Sequence, residues 1–520
     1  MSKKTAISDA KMILCITAVF ALAISFAGCF SPWTGNEGSV TISLGGRDEV
    51  GRWVINYQEH EEDSFEHEII LKGPGGTIIR TLHGTGTVSI QLSPGTWQLV
   101  VRAMGDRTFS DTSLVQTFNK NRLLRAIGFD NAVNVTSGGN TTVPIQMHPA
   151  IEVTNFDQLK KASAYGEFIV IANDIVIEET LHFDSETYNI ITDRHVRLTR
   201  ANLFGGVVPC FLDSFFSVKS GSAMNLGNPR MVGSITLDGG NDYDIPSANE
   251  SLIYMEYSKL NMYDGVTLMN NSNGGTCGGA ITVDEAGTFV MYGGTISGNY
   301  ADGGGAVFVN GGSFEMHGGT IGGSSLDDIN ESSGGGGGVL VFNAGEFYMY
   351  GGTISGNVDY NSSNGGGVCV EGQFYMSGGS IVNNETNGSG GGVYVDTQSE
   401  FTMIGGTIKG NSAVYGGGVY VENDVTSKFY MNGGSIGGNT ADIRGGGVYI
   451  GGIYGVFEKN IGGIIYGENE GVNTNFAKNN SVFTGHAAFF ASGGTGFWQN
   501  KTLGINAQLR TSDTSSWEFP

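Results

Sequence analysis

A three-part motif that returns every 25 to 33 residues limits what this chain can fold into more than any other feature. One clear copy reads Gly391-Gly392-Val393-Tyr394-Val395, then Phe401-Thr402-Met403, then Gly405-Gly406-Thr407-Ile408, with Asn411 three residues further on. The Phe-x-Met part recurs at Phe289, Phe314, Phe347, Phe374, Phe401 and Phe429, in steps of 25, 33, 27, 27 and 28 residues. The Gly-rich part recurs around Val307, Val339, Val368, Val393, Val419 and Val448. Each apolar run has period two, so alternate side chains go to opposite faces of a strand. Val393, Val395, Phe401, Met403 and Ile408 then share one interior. A single copy cannot bury that set, whereas stacked copies can. The Gly pairs supply the sharp corners between runs. The 33-residue step marks an insert near Leu326–Ser333 that is expected to loop out.

Asn299, Asn357, Asn384, Asn411 and Asn439 share one offset after the Ile, and Ser324 stands there in the copy with the insert. Stacked Asn side chains at a coil corner are expected to pair amide to amide and to satisfy corner backbone groups. These features resemble the polymorphic outer-membrane-protein repeat, whose Gly-Gly-Ala-Ile element appears unaltered at Gly278-Gly279-Ala280-Ile281. Its aromatic-x-x-Asn element appears here with Ile in the aromatic place. The resemblance covers about a third of the chain. It implies a right-handed parallel β-helix of pectin-lyase-like shape, exposed on a cell surface and often adhesive. No barrel of alternating strands follows, so an autotransporter route is not supported.

The expected fold is all-β: a small N-terminal β-sandwich followed by a right-handed parallel β-helix solenoid with capping elements. Between Ser39 and Met147, short alternating runs such as Ser39–Leu44, Thr87–Leu92 and Trp97–Val101 are broken by turn signals such as Pro94-Gly95. Runs of this kind predict an Ig-like or transthyretin-like sandwich over 39–150. Asn155–Ala162 reads as a short amphipathic helix capping the open end of the solenoid, which spans 151–484 with its clearest copies at 277–452. Weaker copies around Val218, Met224, Leu226, Ile235, Leu237 and Leu260-Asn261-Met262 fill the upstream part. Residues 485–520 lose the repeat and carry Trp498 and Trp517, as a C-terminal cap would.

The N-terminus places Lys3, Lys4 and Lys11 before an apolar run, Met12 to Ala27, that ends in Gly28-Cys29. A basic start, a short apolar core and small residues before a cut site make an export signal over 1–28. Phe26-Ala27-Gly28-Cys29 resembles the bacterial lipobox, with Phe26 where Leu is usual. The resemblance implies that Cys29 is diacylated, becomes the new N-terminus and opens a lipidated tether over 29–38. Acyl chains on Cys29 bury enough CH₂ groups for stable anchoring. The alternative is a plain secretory signal with an incidental Cys. The expected location is the cell envelope, lipid-anchored at the outer membrane and surface-exposed.

The formal charge is −23, and loss of three Lys and Asp9 with the signal brings it to about −25. That excess of negative charge disfavours nucleic acid. Cys210, Cys277 and Cys369 remain after processing, without disulfide or zinc spacing.

Two files of side chains are candidate sites. Glu371, Asp396 and Glu422, with Asp284 upstream, follow the Gly-rich strand. Stacked about 4.8 Å apart, like charges raise one another's proton affinity or take up calcium. The alternative is a solvated rim. A further acidic group, Asp238, Asn241, Asp242 and Asp244, lacks a full calcium-loop pattern and reads as a turn. Tyr394, Tyr420 and Tyr449 alternate with inward Val or Ile, and Tyr348, Tyr375 and Tyr430 lie between inward Phe and Met. Both sets are expected to face outward and to grip a glycan or protein partner, or else to reflect β propensity and ladder packing. The favoured function is a non-enzymatic display or adhesion rod with no cofactor other than calcium in question. The competing class is a carbohydrate-active enzyme, a polysaccharide lyase or glycoside hydrolase. In the clear copies Lys409, Lys428 and Arg444 share no offset, so no basic partner recurs beside the acidic file.

Overall fold

A computed structural model describes residues 37–44, 65–84, 86–105, 123–163, 168–184, 186–200, 214–240, 250–361, 363–452, 454–459 and 462–465, and strands at 480–481, 488–490, 497–500 and 505–508. The chain is all-β, with one short α-helix among the described residues. It divides into two compact units, Met1–Arg102 with Gly128–Met147, and Ala103–Ile127 with His148–Pro520.

In the first unit, Gly38–Leu44 pairs antiparallel with Gly86–Leu92 and parallel with Asn140–Pro144. Its alternation puts Val40, Ile42 and Leu44 inside and Ser39, Thr41 and Ser43 outside. Glu66–Gly73 and Gly76–His83 form a hairpin that the sequence reading passed over. The Trp97 side chain is fully buried, and its indole N–H donates to the Ser93 carbonyl at 2.8 Å.

The second unit is a stack of coils, built from parallel ladders in which each strand pairs with its counterpart in the next copy of the motif. The Phe–Met strands form one ladder, joined in register as Phe347↔Phe374, Phe374↔Phe401 and Phe401↔Phe429. The Val strands form an 11-stranded sheet from Leu181–Asp184 to Ala488–Phe490, and the Ile strands another from Ile175–Ile177 to Ile464–Ile465. These long parallel sheets are consistent with a β-helix solenoid. The interior follows from the period-two pattern. Phe289, Phe314, Phe347, Phe374, Phe401 and Phe429 are fully buried, as are Met376, Met403, Ile381 and Ile408. Successive Phe rings stack with centroids 4.7 Å apart, the spacing that strand pairing imposes. Each buried Phe contributes roughly 1.5–3 kcal/mol of transfer free energy.

Two features depart from the three-run reading of the motif. A fourth, 8-stranded sheet runs from Ser272–Cys277 to Asn480–Ser481. Its strands begin directly after the Asn, as at Val358–Asp359 and Glu385–Thr386, and several are only two residues long. The insert loops out at Leu326–Asp328 as expected, but it starts and ends earlier than 326–333. It occupies 323–329, with a 3₁₀ turn at Leu326–Asp328 and Leu326 87% exposed, and the fourth sheet resumes at Glu331–Ser332.

The stack opens at His148–Val153, which pairs parallel with Phe168–Ile171, one strand earlier than the sequence implied. The helix Phe156–Ala162 lies between them in the chain. Its N-cap Asn155 accepts from the Gln158 N–H at 3.0 Å, and Gln158 accepts in return from the Thr154 N–H at 2.8 Å. Leu159 and Ala162 are its buried face. At the other end, Phe497–Asn500 pairs parallel with Val456–Lys459 and antiparallel with Ile505–Gln508, which ends the parallel order. Trp517 lies outside the described residues.

Candidate functional site

The Asn file is internal. Asn299, Asn330, Asn357, Asn384, Asn411 and Asn439 are at most 1% exposed. The Asn411 Oδ1 accepts the backbone N–H of Asn384 at 2.9 Å and its amide at 3.0 Å, and the Asn384 amide also donates to the Ile354 carbonyl at 3.1 Å. The same pattern joins Asn357 to Asn384 and Asn411 to Asn439. Asn330, not Ser324, fills the place in the coil with the insert, so the file is unbroken. Asn271 extends it upstream, its N–H donating to Asn299 at 3.1 Å. A Cβ at Gly367 would lie 2.6 Å from the Gly392 carbonyl and 3.0 Å from the Asn384 amide nitrogen, so the glycine beside this corner leaves the space the amides need.

The tyrosine file on the Val sheet corrects an expectation. Tyr394 and Tyr449 are 6% and 8% exposed and Tyr420 is half-buried. They point away from the Val interior, yet a second apolar layer covers them. Tyr394 packs with Leu340 and Cys369, and Phe308, Cys277 and Tyr420 close around that cluster. The chain returning from the fourth sheet turns tightly there, with Gly416 at φ 62 against the Tyr420 side chain. Tyr394, Tyr420 and Tyr449 also stack on one another at 5.3 and 5.2 Å. Their faces are therefore unavailable to a sugar.

On the Phe–Met sheet, Tyr348, Tyr375 and Tyr430 are half-buried. Tyr348 and Tyr375 stack at 5.1 Å, whereas Thr402 occupies the register between Tyr375 and Tyr430. Burial, then the hydrogen bond to Glu346, pushes the Tyr348 hydroxyl up to about 12.

The acidic residues fall in register on consecutive coils. Glu371, Asp396 and Glu422 donate their backbone N–H to Val341, Val370 and Val395 in turn. Asp396 and Glu422 both face the Tyr394 hydroxyl. Glu422 accepts from the Tyr394 hydroxyl at 2.7 Å and the Asn423 N–H at 2.8 Å, and Asp396 accepts from the Thr397 N–H at 2.7 Å. Upstream, Asp284 accepts from the Tyr254 hydroxyl and the Asn310 amide. Among the described residues, no three His, Cys, Asp or Glu side chains converge to hold a metal ion. Asp238 is bonded by Arg197, Asn270 and the Gly240 N–H, while Asn241, Asp242, Asp244, Cys210 and Cys29 lie outside the described residues. Cys277 and Cys369 are free thiols.

Sequence reasoning missed a different exposed file, formed by the residue after each inward Met. Tyr263 and Tyr292 stack at 5.1 Å, Tyr292 and His317 at 5.3 Å, and His317 and Tyr350 at 4.7 Å. Tyr292 and Tyr350 are 44% and 48% exposed. The signal was present in the motif, one position beyond the part that was compared.

Burial sets a pH dependence. It raises the proton affinity of Glu331, Asp359, Glu371 and Asp396; the neighbouring Asp396 adds to the shift of Glu371. A carboxylate with a raised folded pKa contributes stability that is complete below its unfolded pKa and is lost as pH rises through the folded value. Acidification also relieves the self-repulsion of a −23 chain. The urea midpoint is therefore expected to be higher at about pH 5 than at about pH 7.5, and Asp359→Asn should flatten part of that slope. A midpoint that falls between the same two values contradicts this assignment. No family model, curated protein or solved structure matches this chain.

Proposed function

We propose that this is a lipid-anchored surface protein that displays a non-catalytic, right-handed parallel β-helix for adhesion to a glycan or protein partner. On this reading, 39–150 forms an Ig-like or transthyretin-like β-sandwich that serves as a spacer, and the repeats are those of polymorphic outer-membrane proteins. The observation that carries it is the run of stacked rings, Tyr263, Tyr292, His317 and Tyr350, in register on successive coils, the last three exposed. Exposed aromatics held on a rigid sheet suit a binding surface, since little side-chain freedom is lost when a partner docks. The repetition of near-equivalent environments along the Phe and Asn files supports a scaffold, because catalysis needs an acid and a base in different settings.

The anchor is tested at Cys29. Cys29→Ala is expected to move the protein from the detergent phase to the aqueous phase, or to stall it with its signal attached. Unchanged partitioning together with an unchanged N-terminus would remove lipidation from the proposal.

A further inference from the structure

We propose that a notch over Ser377 binds one pyranose ring of a neutral glycan; this rests on the binding reading above. The exposed file donates one side chain per coil. The N–H groups of Tyr292, His317, Tyr350, Ser377 and Ile404 each bond to the carbonyl of the Met one coil earlier, at 2.8–2.9 Å. Their side chains are therefore one strand spacing apart, about 4.8 Å. As far as Tyr350 the file is aromatic, and each inner ring has both faces covered by its neighbours. Such rings offer a sugar only their edges.

At Ser377 the file steps down to a hydroxymethyl group. The far face of the Tyr350 ring then has no ring above it at this register. The next coil places Ile404, 59% exposed, on the other side. Tyr350 and Ile404 are thus two strand spacings apart, roughly 9–10 Å. A ring in carbon contact with both needs roughly 7–8 Å, at 3.5–4.0 Å per contact. Gly378 and Gly379 add no side chain beside the notch, and both must be glycine, because a Cβ at Gly378 would collide with the Tyr350 carbonyl and one at Gly379, at φ 79, would lie 2.6 Å from the Met349 methyl.

The rim is hydroxylated. Tyr375 precedes Ser377 by two residues on the same outward face, and Ser380 follows the Gly pair in the hydroxyl file Thr353, Ser380, Thr407. An apolar ring face on Tyr350 with hydroxyls around it matches a pyranose, which has CH groups on its faces and hydroxyls at its edge. An aromatic side chain from a protein would use the stack and leave the rim hydroxyls unused. The charge of −23 selects against acidic sugars.

The test uses the full chain and four soluble probes, the β-1,4-linked tetrasaccharides of glucose, N-acetylglucosamine, mannose and galactose, read by saturation-transfer NMR. At least one is expected to receive transfer from the wild type. Tyr350→Ala should weaken that probe about tenfold, the loss of one stacking contact. Ser377→Tyr should abolish it by filling the notch, with the unfolding midpoint unchanged or raised because the stack is extended. Leu326→Ala, in the exposed insert outside the notch, should leave binding intact. Transfer that survives Ser377→Tyr overturns the notch while leaving glycan binding elsewhere on the chain standing. No transfer to any of the four overturns the pyranose assignment. If an aromatic-rich peptide instead binds the wild type and is lost in Ser377→Tyr, the occupant is a protein side chain and the glycan class is wrong.

Discussion

Replacing Phe374 with Ala is expected to cost about 3–5 kcal/mol of unfolding free energy. The ring is fully buried in a central coil and lies between Phe347 and Phe401 at 4.7 Å on each side. Two effects add. The removed atoms lose their transfer free energy, and the cavity cannot collapse because strand pairing fixes the coil spacing on both sides. Each flanking ring also loses a stacking partner, worth about 0.5–1.5 kcal/mol beyond area burial. Phe374→Leu should cost visibly less. In a stack where each coil touches only its neighbours, the loss is local and separates the coils on either side into weakly coupled blocks. Denaturant unfolding should therefore show a lower midpoint and a broader transition. A near-neutral Phe374→Ala would mean that the inward register is wrong.

Asn384→Ala should be as damaging, although it removes only a small polar group. Its Oδ1 accepts both the N–H and the amide of Asn357, and its own amide donates to Ile354 and Asn411. All of this lies out of water. Stranding buried donors and an acceptor costs about 1–3 kcal/mol per group, so a total of about 3 kcal/mol or more is expected. Asn384→Asp tests the direction of the bonds. A carboxylate still accepts from Asn357 but sets a buried charge against the Ile354 carbonyl and the Asn411 Oδ1, both acceptors, so it should recover none of the loss. Hydrogen exchange at the Asn357 N–H should accelerate in both variants. Protection there equal to the wild type would contradict the ladder.

The interior of the coils was legible because Phe-x-Met, Val-x-Val and Ile carry their burial in a period of two, and the pairings Phe374↔Phe401 and Ile381↔Ile408 follow that period. The fourth sheet was not legible, since strands as short as Glu385–Thr386 carry no period. Asn330 escaped because the insert before it moved it six residues beyond the common offset, where Ser324 stood instead. Tyr394 was misplaced for a different reason. Alternation tells which face of a strand a side chain leaves from, not what lies above that face. Here the Gly-rich turn before each Val strand and the neighbouring Cys369 and Leu340 close over it. The exposed rings of Tyr292 and Tyr350 lie one residue past each Phe-x-Met, on the outward side of the same alternation, where Ser377 and Ile404 interrupt the aromatic file and blur its signal.

The most direct test separates a binding scaffold from an enzyme. The full chain is incubated with a panel of neutral polysaccharides and polyuronates, and both retention and the release of reducing ends or unsaturated products are measured. The same is done for Glu371→Gln, Asp396→Asn and Glu422→Gln. A scaffold predicts retention of a glycan with no product, and three variants that behave alike. Product release by the wild type that disappears in one of the three and persists in the other two would contradict it.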